Sequence, residues 1–335
     1  MRRYLIAFAV TAGTTLLIAC ALSWWFEPIE GDLTRIGKYS ERDFGWNAAQ
    51  PVVTLRPNGD AVKAPTVFVL GDSFSAANVW QSEFAAQTGH RTQSFNYSQN
   101  ACISAWAELA AKDVHSRAVV IETVERAFVS RFKDVDSCAS VGLTPWEFAG
   151  GSTAVQRAIW PLQLHVLHSF QVAAQAIKMH TAGAGGILQG EVVNVPIDPQ
   201  CASLSHRARH RFLYFGEDEE KWQWSPQEVD RAMANVAALQ RTVEKHGKRF
   251  VFVVVPDKSS VYRACLTLPL NIRGAVPVNV TQKLIGSGVD TPDVLGALQQ
   301  RIQSDVDLYN PSNTHFGTRG YQALAHVVQL YLAGK

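Results

Sequence analysis

The sequence predicts an α/β domain in which a parallel sheet lies between two layers of helices, preceded by a helix that spans a membrane. Three observations support this prediction. Short apolar runs alternate with longer segments of helical periodicity, as in parallel sheets covered on both faces. Several runs are apolar throughout, which is typical of strands buried on both faces. One uncharged N-terminal stretch is long enough to cross a bilayer.

The stretch Tyr4–Phe26 carries no charge and follows the basic residues Arg2 and Arg3. As a helix it would be about 34 Å long, which exceeds the roughly 30 Å thickness of a bilayer core. The two arginines favour the cytoplasmic side, so the remaining chain would lie outside the cytoplasm. We therefore expect residues 1–26 to be a membrane anchor. A lipoprotein signal that places lipid on Cys20, or a cleaved signal peptide, is the alternative.

Residues 27–65 form a polar segment with proline and glycine, which we predict to be a juxtamembrane approach to the domain. The segment contains an unusual patch, Arg42-Asp-Phe-Gly-Trp-Asn47. Its aromatic residues, Phe44 and Trp46, could stack on a sugar ring, or they could form a strap that packs against the core. The sequence leaves both interpretations open.

Strands and helices alternate through residues 66–335, which we predict to be one catalytic domain. Each expected strand is a short, largely apolar run: Val67–Leu70, Thr92–Asn96, Ala118–Glu122, Val192–Ile197 and Arg249–Val255. Each expected helix is a longer segment, most with an apolar face: Ser75–Thr88, Ile103–His115, Gln156–His180, Pro226–His246, Leu295–Ser304 and Tyr321–Leu332. Such sheets bind ligands beyond the carboxyl ends of their strands, and Ser73, Asn96 and Glu122 fall there.

The first strand ends abruptly in Gly71-Asp72-Ser73, at the start of a helix. A serine there lies beside free backbone N–H groups and the positive end of the helix dipole, which stabilise negative charge on an acyl oxygen. The alternative is that Ser73 is only a helix N-cap. A second motif, Thr314-His315-Phe316, lies on a polar loop before the last helix. His315 could be the base of a serine that is distant in sequence.

These two motifs together resemble the SGNH hydrolase superfamily. The segments Val255-Pro-Asp-Lys-Ser-Ser-Val-Tyr262 and Ile121-Glu-Thr-Val-Glu-Arg-Ala-Phe128 resemble its alginate O-acetyltransferase-like branch. The resemblance implies a three-layer, flavodoxin-like parallel-sheet domain that uses no cofactor. It further implies that Ser73 is the nucleophile of an acyl-serine mechanism, with His315 as general base and then acid.

The chain departs from that branch at the acid, which usually lies two residues before the histidine. Here that position is Asn313. An asparagine can orient an imidazole, but it cannot neutralise the imidazolium that forms in the transition state. Three interpretations remain open: Asn313 orients His315, Asp307 or Asp257 is the acid, or the site is slow or degenerate.

The oxyanion donors also differ from the usual pattern. We expect the backbone N–H groups of Ser73 and Ser98 to stabilise the oxyanion. Arg126 either donates to the same oxygen or is a structural ion-pair partner. Three further substrate-binding candidates lie at strand ends: Asn96, Asp72 and Lys258.

Composition limits the remaining function classes. A net charge of +2 gives no global reason to expect nucleic-acid binding, and no recognition motif for nucleic acid is present in the sequence. The chain has five cysteines. Besides Cys20 they are Cys102, Cys138, Cys201 and Cys265, which permit two disulfides in three connectivities if the domain is exported. Their spacing makes a metal site improbable.

The sequence therefore favours an O-acetyltransferase that acts outside the cytoplasm on a cell-envelope polysaccharide. The expected location is a single-pass anchor in the inner membrane with the catalytic domain in the periplasm. Because acetyl-CoA is cytoplasmic, the resemblance implies a membrane-bound O-acyltransferase partner that delivers acetyl groups. An esterase that uses water and a non-catalytic polysaccharide-binding scaffold are the alternative functions.

Overall fold

The computed structural model describes residues 1–26, 30–58, 64–96, 103–135, 166–182, 187–189, 191–267 and 278–334. The strands are β1 (Val67–Gly71), β2 (Thr92–Asn96), β3 (Ala118–Val124), β4 (Ile187–Gln189), β5 (Val192–Pro196), β6 (Arg211–Phe215) and β7 (Arg249–Val255). The helices up to residue 182 are α1 (Arg2–Phe26), α2 (Asp32–Gly37), α3 (Glu41–Phe44), α4 (Ser73–Ala76), α5 (Val79–Thr88), α6 (Ile103–Lys112), α7 (Phe128–Phe132) and α8 (Val166–Ala182). The later helices are α9 (Pro226–Lys245), α10 (Lys258–Val261), α11 (Val280–Gly286), α12 (Val294–Gln299) and α13 (Thr318–Ala333).

Four strands form the central sheet in the order β2-β1-β3-β7, and all neighbouring pairs are parallel. Because the strands are parallel, their carboxyl ends meet at one edge, which carries Ser73 after β1 and Lys258 after β7. The α/β class and the parallel sheet are therefore confirmed.

Two apolar cores cover the two faces of this sheet. Alternate residues of the strands point to opposite faces, so Val69 belongs to one core and Leu70 to the other. One core includes residues of α5 and α13, and the other includes residues of α6, α7 and α9. The result is the three-layer arrangement that the alternation of strands and helices predicts.

A second sheet of three strands, in the order β4-β5-β6, is antiparallel. The predicted strand Val192–Ile197 exists as β5, but it pairs in this sheet and not in the central one. Strand β6 was not predicted. It is five residues long and follows a basic segment that is typical of a surface loop, and its pairing with β5 is not evident from local sequence.

Two predicted helices differ in their bounds. The helix predicted over Ser75–Thr88 is divided into α4 and α5 at Asn78, whose φ of 53° lies in the left-handed region. The helix predicted to end at Ser304 ends at Gln299 and continues as turns. Part of the long helix predicted from residue 156 lies outside the described residues.

The segment after α1 packs on the domain. Leu33, Tyr39 and Phe44 form a small core with residues of β5 and β6. Phe44 is buried against His206, at a ring-centroid distance of 5.8 Å, so it acts as a strap residue. Trp46 is 42% exposed. The domain boundary at residue 66 stays a prediction, although this packing joins residues 30–58 closely to the residues that follow.

Helix α1 has the length and composition of a single-pass membrane anchor, with a mean hydropathy of 2.2 over its most apolar window. Near its end, the Arg42 guanidinium lies 3.9 Å from the centre of the Trp25 ring. Farther along the chain, a disulfide joins Cys201 to Cys265. Cys102 and Cys138 lie outside the described residues, so their pairing stays open.

Candidate active site

Ser73 is exposed at the beginning of α4, directly beyond the carboxyl end of β1. As the first residue of a helix it has a backbone N–H without an intrahelical acceptor. A negatively charged oxygen near Ser73 would therefore meet both this donor and the positive end of the local peptide dipoles. This position suits a nucleophilic serine with its own oxyanion donor.

Buried side chains hold the turn that presents Ser73. The Asp72 carboxylate accepts hydrogen bonds from the Phe74 N–H at 3.0 Å and the Val124 N–H at 2.8 Å, and it pairs with Arg131. Burial alone would raise the pKa of Asp72, but Arg131 and these N–H donors hold it below its ordinary value. The sequence makes Asp72 a candidate substrate ligand. Since it is only 1% exposed, it instead holds the turn after β1 against the end of β3.

A second buried carboxyl group, Glu122, contacts the same turn. It accepts hydrogen bonds from the Ser75 hydroxyl at 2.7 Å and from the Asp72 N–H at 3.1 Å. Burial, together with the nearby Asp72 carboxylate, raises the pKa of Glu122 well above its ordinary value. Gly71 is required here, because a Cβ on it would lie 2.2 Å from the Ser75 hydroxyl oxygen.

The histidine lies on a tight loop between Leu308 and Gly317. The Gly317 N–H donates to the Leu308 carbonyl at 2.9 Å, and the Asn310 N–H donates to the His315 carbonyl at 3.0 Å. The His315 ring stacks at an angle on Phe74, with 4.8 Å between the ring centroids. The structure therefore brings His315 against the residue that follows Ser73.

The His315 Nδ1 atom faces Asn313, whose Oδ1 lies 2.8 Å away and also accepts the His315 backbone N–H at 3.1 Å. Nδ1–H donation to this oxygen leaves Nε2 unprotonated, as a general base requires. Partial burial lowers the pKa of His315, which favours the neutral imidazole at neutral pH. The geometry thus suits the orienting role that we considered for Asn313.

The structure also places a carboxylate near this histidine that the sequence did not suggest. Asp32, at the start of α2, has its Oδ2 atom 3.9 Å from His315 Nδ1. The same carboxylate accepts the Thr314 N–H at 2.9 Å and the Thr314 hydroxyl at 2.7 Å. No local motif could have revealed Asp32, because it lies in a segment that looked like a linker and its partner Thr314 is 282 residues away.

The other acids that we considered are engaged elsewhere. Asp307 accepts the Ser205 backbone N–H at 2.9 Å and also the Ser205 hydroxyl. Asp257 pairs with Arg126 at 3.0 Å and with Lys221 at 2.7 Å. Each carboxylate therefore has a structural partner of its own.

Arg126 belongs to a buried ion-pair network at the carboxyl ends of β3 and β7. Besides Asp257, its Nη1 atom contacts Asp218 at 3.4 Å, and its side chain is only 14% exposed. These contacts favour the ion-pair interpretation of Arg126 over a role as oxyanion donor.

Lys258 holds the histidine loop through hydrogen bonds to its backbone. Its Nζ atom donates to the carbonyl groups of Asn310 at 2.9 Å, Pro311 at 2.8 Å and Asn313 at 3.2 Å. The side chain is buried, and burial lowers the pKa of Lys258 to about 7. Such a residue holds the loop that carries His315 and is poorly placed to touch a substrate.

Asn96 and Ser98 are the two remaining candidates from the sequence. Asn96 ends β2 and pairs in register with Gly71, so it lies at the same sheet edge as Ser73. Ser98 lies outside the described residues. Within the described ranges, no group of His, Cys, Asp and Glu has the arrangement of a metal site.

Comparison with known proteins finds a family match in the C-terminal part of the chain. Residues 207–334 match the SGNH hydrolase-like domain of the acetyltransferase AlgX. This stretch includes His315, Asn313 and Lys258, whereas Ser73 and Asp32 precede it.

One relative is the "Probable alginate O-acetylase AlgJ" of Pseudomonas aeruginosa, which is 25% identical over 113 residues. The matched part covers 33% of this chain and 29% of AlgJ, so the chain spans less than a third of that relative. No solved structure matches the chain. Both matches support the resemblance of residues 207–334 to the AlgJ/AlgX-like branch of the SGNH hydrolase superfamily.

Proposed function

We propose that this protein transfers acetyl groups to a cell-envelope polysaccharide through an acyl-serine intermediate on Ser73. One observation carries the proposal: the exposed Ser73 begins a helix and is followed by Phe74, whose ring packs 4.8 Å from that of His315. His315 Nδ1 is in turn held by Asn313 Oδ1 at 2.8 Å. The family match of residues 207–334, to the domain of an acetyltransferase, supports acyl transfer as the chemistry.

In the first half-reaction, the Ser73 hydroxyl attacks the carbonyl carbon of an acetyl donor while His315 Nε2 takes the hydroxyl proton. The negative charge that develops on the carbonyl oxygen is stabilised by the Ser73 N–H, with the Ser98 N–H as the second expected donor. When the tetrahedral intermediate collapses, the bond to the leaving group breaks. His315 then returns the proton to that group and leaves acetyl-Ser73.

In the second half-reaction, a sugar hydroxyl replaces the leaving group. His315 Nε2 takes the proton of this hydroxyl while its oxygen attacks the acetyl-serine carbonyl. Collapse of this intermediate breaks the bond to Ser73 Oγ, which regains a proton from His315. The products are the sugar acetate and free Ser73.

The short connection between α1 and the site supports a donor at the membrane. From Phe26 to Asp32 the extended chain spans at most about 20 Å. If α1 crosses the bilayer, the histidine loop therefore lies close to the membrane surface. A membrane-bound O-acyltransferase could present an acetyl group there, and the Cys201–Cys265 disulfide suits an oxidising compartment such as the periplasm.

The test supplies the purified full-length protein with an activated acetyl ester and a panel of envelope oligosaccharides. We expect acetylated sugar to form faster than free acetate, because an oriented hydroxyl can compete with abundant water. The Ser73→Ala variant should form neither product. Release of acetate with no transfer to any glycan would replace this proposal with the esterase alternative.

A further inference from the structure

We propose that Asp32 is the carboxylate partner of His315, so that the active site is completed by the segment that follows the membrane helix. Asp32 acts here as a positioning residue, because it works through the imidazole and does not touch the reacting atoms. This inference rests on the proposed function of Ser73 and His315. It assigns the acid that the asparagine at position 313 leaves missing.

The geometry provides two connections between Asp32 and the imidazole. Asp32 Oδ2 lies 3.9 Å from His315 Nδ1, within the range of an ion pair once the ring is protonated. The Thr314 hydroxyl donates to Asp32 Oδ2 at 2.7 Å and lies 3.3 Å from His315 Nδ1. Because a hydroxyl both donates and accepts, Thr314 can accept a weaker second branch of the Nδ1–H bond to Asn313 and so link the imidazole to the carboxylate.

The position of Asp32 is fixed by backbone contacts with the histidine loop. The Leu33 N–H donates to the Ser312 carbonyl at 3.0 Å, and the Thr314 N–H donates to Asp32 Oδ1 at 2.9 Å. Gly31 allows this close approach, because a Cβ at that position would lie 2.0 Å from the Ser312 carbonyl oxygen.

Glu41 holds the same segment from the other side. Its Oε1 accepts the Gly31 N–H at 2.7 Å and the Glu30 N–H at 3.0 Å, and it also accepts the Thr34 hydroxyl. Asp32 is thereby presented by a small folded unit rather than by a freely moving linker. A carboxylate held in this way is preorganised to stabilise the imidazolium.

Asn313 and Asp32 have complementary tasks in this arrangement. Asn313 accepts the Nδ1–H at 2.8 Å and sets the tautomer, as a neutral amide can. Asp32 supplies the negative charge that the amide lacks. The division explains how the site can retain a base histidine without an acid at the usual position.

The experiment measures single-turnover acetylation of Ser73 by an activated acetyl ester, using the full-length protein. Asp32→Asn should slow acetylation about 10²-fold with little change in ester affinity. The loss should be smaller than the roughly 10⁴-fold loss seen when a directly bonded triad aspartate becomes asparagine. Glu30→Gln is the matched control, since it removes one exposed carboxylate two residues away and should keep the wild-type rate.

Two further variants separate a positioning role from a structural one. Adding Asn313→Asp to Asp32→Asn places a carboxylate beside Nδ1 again. The double variant should be acetylated at least tenfold faster than Asp32→Asn alone. Thr314→Val removes the linking hydroxyl and should slow acetylation, whereas Thr314→Ser should not.

The pH profile provides a readout that a merely structural role would not change. Burial lowers the pKa of His315; among the charged groups that act on it, Asp32 and Asp72 raise the pKa and Arg126 lowers it, with Asp32 the strongest of the three. In Asp32→Asn the acid limb of the profile should therefore move to lower pH while the plateau falls.

Two outcomes would overturn the inference. If Asp32→Asn acetylates at the wild-type rate, the imidazole does not need this carboxylate. If the variant is slow but neither its acid limb moves nor Asn313→Asp restores the rate, Asp32 only anchors the segment. Wild-type protein that is never acetylated at Ser73 would instead refute the proposed function, and with it this inference.

Discussion

Lys258 provides the sharpest stability prediction, because one buried amine serves three backbone carbonyl groups of the histidine loop at 2.8–3.2 Å. Lys258→Met keeps most of the apolar stem and removes all three donors. Each buried carbonyl left without a partner costs about 1 kcal/mol or more. Because the variant no longer has to desolvate an amine on folding, part of that cost is offset. We therefore expect the free energy of unfolding to fall by about 2–4 kcal/mol.

A loss of this size corresponds to a melting temperature lower by about 3–6 °C, since the entropy of unfolding scales with chain length. Thermal unfolding followed by circular dichroism measures it, with Lys283→Met as the matched control. Lys283 is largely exposed, with only a distant ion pair of 3.7 Å to Asp230, so its change should cost less than about 0.5 kcal/mol.

The same variant should lose catalytic rate even where it is fully folded. The loop carries His315, and a displacement of about 1 Å can reduce turnover about 10²-fold. Ester turnover is therefore compared at 20 °C, below the melting temperature of both proteins. A Lys258→Met protein with normal stability and a raised KM alone would refute this reasoning, since Lys258 would then be a substrate ligand.

Three further predictions follow from the site and its surroundings. Gly71→Ala should lower the free energy of unfolding by about 1–3 kcal/mol in chemical denaturation, because its Cβ would lie 2.2 Å from the Ser75 hydroxyl. Activity should be controlled by a group whose pKa is below 6.5, since partial burial lowers the pKa of His315; an acid limb of kcat/KM above that pH would contradict this. Replacing Cys201 and Cys265 together by serine should destabilise the protein by up to about 4 kcal/mol, and an unchanged melting temperature would argue against a structural disulfide.

The central sheet could be predicted because its strands are defined locally. β1 is apolar throughout and β7 is apolar after Arg249, and a buried parallel strand needs little else to be recognised. The predicted ends of these strands lie within one residue of those in the structure. The second sheet was harder to predict, because β4 has three residues and the pairing of β5 with β6 crosses a long irregular segment.

The residues of the candidate site also divide into those that the sequence could predict and those that it could not. Ser73 and His315 stand out because Ser73 begins a helix directly after a strand, His315 lies on the loop before the last helix, and both carry reactive chemistry. Asp32 could not be predicted, since its importance arises only when the chain folds back across 282 residues. Asp257 and Asp307 looked plausible in sequence because they lie near the motifs. The structure shows that salt bridges and a serine engage them instead.

The position of a charged group in the sequence also did not reveal whether it binds a substrate or supports the fold. Lys258 and Arg126 follow strands at the expected edge of the sheet. Whether each faces a ligand depends on which carbonyl groups and carboxylates surround it, and those come from other elements. Burial and partner distances, which only the fold provides, decide between the two roles.

The central claim is that Ser73 carries the acyl group, and peptide mapping by mass spectrometry tests it most directly. The full-length protein is exposed briefly to an activated acetyl ester, quenched in acid and digested. We predict one acetyl group on the peptide that contains Ser73, none in Ser73→Ala, and much slower labelling in His315→Ala. An acetyl group on any other residue, with turnover retained by Ser73→Ala, would contradict the account.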